Sequence, residues 1–322
     1  MMRFRRNAAL REMSNEIHLD PSSFIFPVFI DERIESPEPI DNLPGQKRQS
    51  IRSISSEVED VVSLGIPAIL LFGITKEKNY GGSNAYDKNG IIQSASRIIK
   101  DSFGDSIVLI SDACLCMYTT HGHCGVIENE CVVNDLTLDV LKKIAVSQAE
   151  AGIDVIAPSS MTDGQVMAIR GALDEAGFRD VMILSYSAKF ASNFYGPFRD
   201  VAESVPSFGD RAMYQLSPAN LEEAIREVGL DIREGADMVM VKPALSYLDV
   251  LRDVKERFKF PTAAFNVSGE YLMLKTLIEM GLADEKSLVM EVMMSIRRAG
   301  ADSIISYFAK DVVRWILDDV RS

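Results

Sequence analysis

Short apolar runs alternate with amphipathic stretches along nearly the whole chain. The runs fall at 24–30, 68–72, 107–111, 154–157, 182–185, 238–241, 262–267 and 303–307, and their β-rich composition predicts strands. Between them, apolar positions at helical spacing predict helices, among them 136–151, 165–176, 245–258 and 285–299. Strand and helix in strict alternation argue for a parallel sheet with helices outside it. About eight such units in 322 residues fit a (β/α)8 TIM barrel better than an open doubly wound sheet.

A weak internal echo favours the same fold class. Leu64-Gly65-Ile66-Pro67, Ala151-Gly152-Ile153-Asp154, Glu234-Gly235-Ala236-Asp237 and Ala299-Gly300-Ala301-Asp302 each end a helical stretch and open an apolar run. Glycine there suits a left-handed helix stop. Seven residues beyond each glycine stand Phe72, Ser159, Lys242 and Tyr307. Equivalent units would place these four at one height near the C-terminal strand ends, where barrel enzymes keep their chemistry.

Two segments break the rhythm. Residues 1–20 precede the first strand, carry four arginines and form no strand–helix unit, so they are expected to be an N-terminal arm. Residues 191–216 separate the fifth strand from the next helix; they hold Phe194, Tyr195, Phe198 and Phe208 with Arg199 and Arg211, too aromatic for a solvated linker, and are expected to form a lid. The rest, 21–322, is expected to be one catalytic barrel.

Composition narrows the class. The chain is 47% hydrophobic and 25% charged, an ordinary globular make-up. A net charge of −13 opposes general nucleic-acid binding. No apolar run is long enough to span a bilayer, and the arginines near the start are not followed by the apolar core of a signal peptide. All four cysteines fall between Cys114 and Cys131, which suggests metal binding or catalysis in a reducing, cytoplasmic setting rather than a disulfide framework.

Cys114, Cys116 and Cys124 lie within eleven residues, just past the third strand. Three thiolates would leave the fourth tetrahedral position of zinc open, as a catalytic site requires. His121 and His123 are rival ligands that the sequence does not rank, and Cys131 stands apart. Lys189 follows the fifth strand and Lys242 ends the sixth. An ammonium at the end of an apolar strand is costly to desolvate, and a like charge nearby lowers its pKa further, freeing the amine to attack a carbonyl. The bland alternative is a snorkelling or ion-paired lysine. Arg199 and Arg211 would suit a carboxylate, with surface arginine as the default reading. The glycine-rich stretch 80–86 lacks a Walker lysine or a dinucleotide fingerprint and reads as a loop.

Taken together, these residues resemble the porphobilinogen synthase (5-aminolevulinate dehydratase) family, over essentially the whole chain. The spacing Cys-x-Cys-x7-Cys and the two lysine motifs are specific in combination. The resemblance implies condensation of two 5-aminolevulinate molecules to porphobilinogen, with loss of two waters, in tetrapyrrole synthesis. Lys189 and Lys242 match the two Schiff-base lysines, and Cys114, Cys116 and Cys124 match zinc ligands. Arg199, Arg211, Ser268 and Tyr307 match substrate-binding positions; Asp112 and Ser159 match polar groups of the pocket. Glu227 matches the ligand of an activating magnesium away from the active site. Assembly through the arms, commonly as a homo-octamer, is implied too, with no nucleic-acid or membrane partner. The chain departs from the pattern at Ser160, Gln165 and Asn266, where Asp, Arg, and Gln or His are usual. The rival readings are a class I aldolase-like barrel with a structural zinc, which needs only one lysine, and a non-enzymatic zinc module, which needs none.

Overall fold

The structure, a computed structural model, describes residues 2–321. Eight parallel strands form its centre: β1 (Phe24–Asp31), β2 (Ala68–Ile74), β3 (Val108–Ala113), β4 (Val155–Pro158), β5 (Met182–Lys189), β6 (Met238–Lys242), β7 (Thr262–Asn266) and β8 (Ser303–Ser306). Each pairs with the next, and β8 returns to β1 through Phe24 opposite Ile304, so the sheet closes into a barrel. Parallel strands covered on both faces must be apolar throughout. That is why they read as unbroken runs: all eight residues of β1 and all seven of β2 are buried.

Helices α1 (Ala8–Met13), α2 (Ile54–Ser63), α3 (Ile91–Phe103), α4 (Asn134–Glu150), α5 (Gln165–Glu175), α6 (Gly196–Val201), α7 (Leu221–Glu234), α8 (Leu248–Phe258), α9 (Ser268–Glu279), α10 (Glu285–Ala299) and α11 (Ala309–Arg321) follow in chain order. Most of them connect one barrel strand to the next; α1 precedes the barrel, α6 lies in the segment after β5, and α10 follows α9 before β8. The echoing glycines do what the pattern implies: Gly65, Gly152, Gly235 and Gly300 have φ of +76°, +94°, +105° and +126°. A side chain there would strain the backbone, so glycine lets the chain leave the helix and enter the next strand.

Some boundaries differ from the sequence expectation. The stretch expected as a helix over 245–258 opens as a 3-10 turn, Leu245–Tyr247, before α8. The third strand starts at Val108. The fifth runs on to Lys189 through polar but buried Ser185 and Ser187, because the upper barrel interior is lined by polar groups that break the apolar signal.

Before the barrel, a 3-10 turn (Met2–Arg5) and α1 bury none of their residues in this chain. Between β5 and α7 the chain crosses the barrel mouth, with α6 inside the crossing, and returns where Phe190 pairs with Leu216. Among the described residues no helix is long and apolar enough to cross a membrane.

Candidate active site

β5 and β6 are neighbours, and their last residues, Lys189 and Lys242, stand opposite one another at the C-terminal end of the barrel. Both are 5% exposed. Lys189 Nζ donates to the Ser159 carbonyl at 2.5 Å. Lys242 Nζ has no such acceptor; it sits in a box of rings, 4.3 Å from the centre of Phe265, 4.9 Å from Tyr186 and 5.3 Å from both Tyr195 and Phe198. Burial, followed by the like charge of Lys189, pulls its pKa down to about 7. A good fraction of Lys242 is therefore a neutral, nucleophilic amine near neutrality.

The box was not legible from strand alternation. Between β5 and β6 the pairing steps from Ser185 opposite Val239 to Ala188 opposite Val241, three residues against two. That bulge changes the parity of the strand end. Tyr186 and Lys189, which strict alternation would put on opposite faces, thus meet, with Lys189 Nζ 5.5 Å from the Tyr186 ring.

Asp112, from β3, is buried close to both lysines. Burial raises its pKa, while Lys189, Lys242 and a hydrogen bond with Ser159 pull the other way. The space between Asp112, Ser159, the two lysines, Tyr195 and Phe198 is only about 20 Å³, room for roughly one water.

Cys114, Cys116 and Cys124 are buried beside this space, their sulfur atoms all within 4.8 Å of one another and those of Cys114 and Cys116 3.4 Å apart. Thiolates held at about 2.3 Å around one tetrahedral zinc are about 3.8 Å apart, so the set fits that ion. Hydrogen bonds from Cys114 and Cys116, opposed by burial and assisted by the charges of Arg211 and Lys189, hold the Cys124 thiol well below its usual pKa.

The histidines are occupied elsewhere. His121 Nε2 lies 3.2 Å from the Tyr80 carbonyl, and its Nδ1 accepts from the His123 amide. His123 Nε2 lies 2.9 Å from the Phe208 carbonyl, and its Nδ1 3.2 Å from the Tyr214 hydroxyl. Among the described residues the three thiols are the only donor group of this kind drawn to one point. Cys131 is exposed on a small hairpin.

The crossing segment roofs the pocket. Arg211 is buried and donates to the carbonyls of Gly122 and Ser204; half-buried Arg199 donates to the Ser192 carbonyl. The Nε of each is buried without a partner, and neither pairs with a carboxylate among the described residues. Two guanidinium groups with unspent donors are chemically able to receive an anion. The Tyr307 hydroxyl is likewise buried without a partner. Ser268 Oγ is engaged with the roof, accepting from the Phe198 amide at 3.0 Å and donating to the Phe194 carbonyl at 3.3 Å.

Glu227 is outside this pocket. It lies on α7 between two outer clefts of about 300 and 230 Å³, whose linings also include Asp163, Glu223, Asp231 and Glu234. Burial, then these neighbouring carboxylates, raise its pKa to about 6.

Comparison with known proteins adds three findings. The family described as Delta-aminolevulinic acid dehydratase matches residues 1–315. The chain is 51% identical over 317 residues to the delta-aminolevulinic acid dehydratase of Halalkalibacterium halodurans (98% of this chain, 96% of the relative) and 48% identical over 316 residues to that of Bacillus subtilis (98% and 97%). It superposes with a TM-score of 0.97, at 43% identity, on the crystal structure of delta-aminolevulinic acid dehydratase (porphobilinogen synthase) from Toxoplasma gondii in complex with the reaction product porphobilinogen, covering 100% of this chain and 92% of that one.

Proposed function

The chain belongs to the delta-aminolevulinic acid dehydratase family, and from that premise we propose how its buried pocket performs the family's reaction. It is a lyase that condenses two 5-aminolevulinate molecules to porphobilinogen and releases two waters. The observation that carries the mechanism is the pair of buried lysines on adjacent strand ends, one of them partly neutral near pH 7.

Lys242 Nζ attacks the ketone carbon of one substrate, and loss of water leaves an imine. Once protonated, that imine is again a cation, and the four rings that surround Nζ favour a delocalised cation on their faces. Lys189 forms the corresponding link to the second substrate. An iminium supplies the electrophile; its enamine tautomer supplies the carbon nucleophile. Asp112, with its carboxyl held toward the protonated state beside both lysines, can carry the protons that these steps exchange, with Ser159 as its hydrogen-bond partner. Arg199 and Arg211 receive one substrate carboxylate. Tyr307 offers its free hydroxyl to the other, alongside Ser268. A metal held by Cys114, Cys116 and Cys124, which we assign as zinc, would supply a Lewis acid with an open coordination position. Two substrates cannot enter about 20 Å³, so residues 191–216 must act as a lid that lifts Tyr195 and Phe198.

An aldolase-like reading would leave one of the two lysines idle. The test is incubation with 5-aminolevulinate alone under reducing, zinc- and magnesium-replete conditions, with the pyrrole detected by its aldehyde colour reaction. Pyrrole is expected from the native chain and not from Lys242→Met; no pyrrole from the native chain would overturn the reading.

Two assignments lie outside the pocket. The half-buried carboxylates around Glu227 suit a hydrated magnesium ion, which keeps most of its waters and needs few protein ligands. The arm over residues 1–20, whose first residue lies outside those described, exposes Met2, Phe4 and Met13 in the single chain. A second copy would cover them, supporting a homo-oligomer of the octameric kind built through the arms. Four free cysteines, with no disulfide among them, support a reducing, cytoplasmic setting.

A further inference from the structure

One fully buried carboxylate takes no part in this mechanism. Glu270, the third residue of α9, is 0% exposed, and no lysine or arginine pairs with it among the described residues. Its oxygens are instead filled by neutral donors. Oε1 accepts from the Leu245 amide at 2.7 Å; Oε2 accepts from the Val267 amide at 3.0 Å and from Asn266 Nδ2 at 3.1 Å. Asn266 Oδ1 accepts from Ser306 Oγ at 2.9 Å, and Ser306 Oγ accepts from the Phe308 amide at 3.1 Å.

This string of hydrogen bonds runs behind three consecutive strand ends. Leu245 closes the turn that leaves β6 just after Lys242. Asn266 ends β7, and Val267 caps the start of α9 just before Ser268. Ser306 and Phe308 bracket Tyr307 at the end of β8. A helix start can be capped by an exposed serine or aspartate at little cost, as Asp284 does for α10. Burying a carboxylate without a counter-ion is expensive, and satisfying it demands several correctly aimed donors. The expense is explained if the three strand ends must hold one fixed relation.

We propose that Glu270 is a positioning residue for the condensation: it fixes the turn after Lys242, and so the entry of the Lys242 amine into its ring box, and through Asn266 and Ser306 it holds Ser268 and Tyr307 in register with that amine. The proposal rests on Lys242 forming an imine. Asn266 is the joint between the two halves of the string. Its amide has one donor for Glu270 and one acceptor for Ser306, and it uses both.

The test is Glu270→Gln, which keeps the shape but turns one acceptor into an NH2 that must face an N–H donor. The full-length enzyme is incubated with 5-aminolevulinate, reduced with borohydride at timed intervals, and the adducts on Lys242 and Lys189 are quantified separately by mass spectrometry. The Lys242 rate should fall about 10- to 100-fold while the Lys189 rate stays within about twofold, since a misplacement of about 1 Å has effects of that order. Equal losses at both lysines, or none at Lys242, would overturn the proposal. A native enzyme with no Lys242 adduct would instead remove the reading of the reaction beneath it. Should Glu270→Gln fail to fold, Ser306→Ala tests the other end of the string: KM should rise while the Lys189 adduct rate stays within about twofold, and an unchanged KM or equal losses at both lysines would defeat the assignment.

Discussion

The like charge of Lys189 is one reason that Lys242 is a nucleophile near neutrality, and removing it gives a quantitative test. Both ammonium nitrogens lie over the Tyr186 ring, 5.5 and 4.9 Å from its centre, so they are within about 10 Å of each other. At that limit, with an effective dielectric constant of about 20, two positive charges repel by about 1.7 kcal/mol, equivalent to roughly one pH unit or slightly more. In the proposed mechanism Lys242 attacks as the neutral amine, so adduct formation should be present above its pKa of about 7 and be lost as the pH falls through that value. Lys189→Met keeps the packing and deletes the charge. It makes the ammonium of Lys242 easier to form, so the acid limb must move upward, by about one pH unit. At pH 7 the neutral fraction drops from about a half to about a tenth, a fall of about fivefold. The variant cannot complete turnover, but Lys242 retains its own half-reaction. Borohydride trapping at Lys242, followed by mass spectrometry from pH 5.5 to 9, therefore reads the midpoint directly. A midpoint that stays in place or moves down would show that burial in the ring box alone sets the pKa, and that the two lysines do not interact.

Replacing Cys114, Cys116 and Cys124 together with alanine should abolish zinc binding and activity and leave the circular dichroism of the barrel intact, because the core does not depend on the metal; retained zinc by elemental analysis would refute the ligand set. Arg199→Ala and Arg211→Ala should each weaken 5-aminolevulinate binding by roughly 2–5 kcal/mol, the range for breaking a buried charge pair, and unchanged Michaelis constants in both would show that they do not hold the carboxylate. Deleting residues 2–12 should give smaller particles by light scattering with reduced activity, and Glu227→Ala should erase any rise in activity or size on adding magnesium. Full-sized, fully active particles from the deletion, or a magnesium response that survives the substitution, would refute those two assignments separately.

The fold was legible because a parallel barrel repeats one local instruction eight times. The glycines at 65, 152, 235 and 300 and the apolar runs after them depend only on neighbours in sequence, and they also placed Lys242 and Tyr307 at the strand ends. What was hidden depends on pairing across the chain. The bulge of β5 against β6 exists only once the two strands meet, and it brings Tyr186 to the lysines. The ring box needs residues 186, 195, 198 and 265 together. The ranking of cysteine against histidine was likewise open until the histidines found acceptors at Tyr80 and Phe208, 41 and 85 residues away. Glu270 passes in the sequence for an ordinary early-helix acid, and only its burial marks it out.

The roof and the thiol loop also constrain one another, which bears on how the pocket becomes reactive. The Ser207 amide donates to the His121 carbonyl, Arg211 to the Gly122 carbonyl, and the Cys124 amide to the Tyr214 hydroxyl. The segment that carries Arg199 and Arg211 is therefore fastened to the loop that carries the thiols, and to the barrel rim by Arg33, which bridges Glu203 at 2.7 Å and Asp31 at 2.8 Å. With the roof down, two lysines, Arg211 and half-buried Arg199 gather around Asp112, and burial together with the positive charge of Lys189 and Arg211 holds Lys242 partly neutral. An incoming substrate carboxylate offsets the arginines, while imine formation keeps the positive charge on Lys242 inside rings that favour it. The same closed geometry thus makes the amine nucleophilic before reaction and shelters the cation after it, and a roof detached from the thiol loop would lose both effects at once.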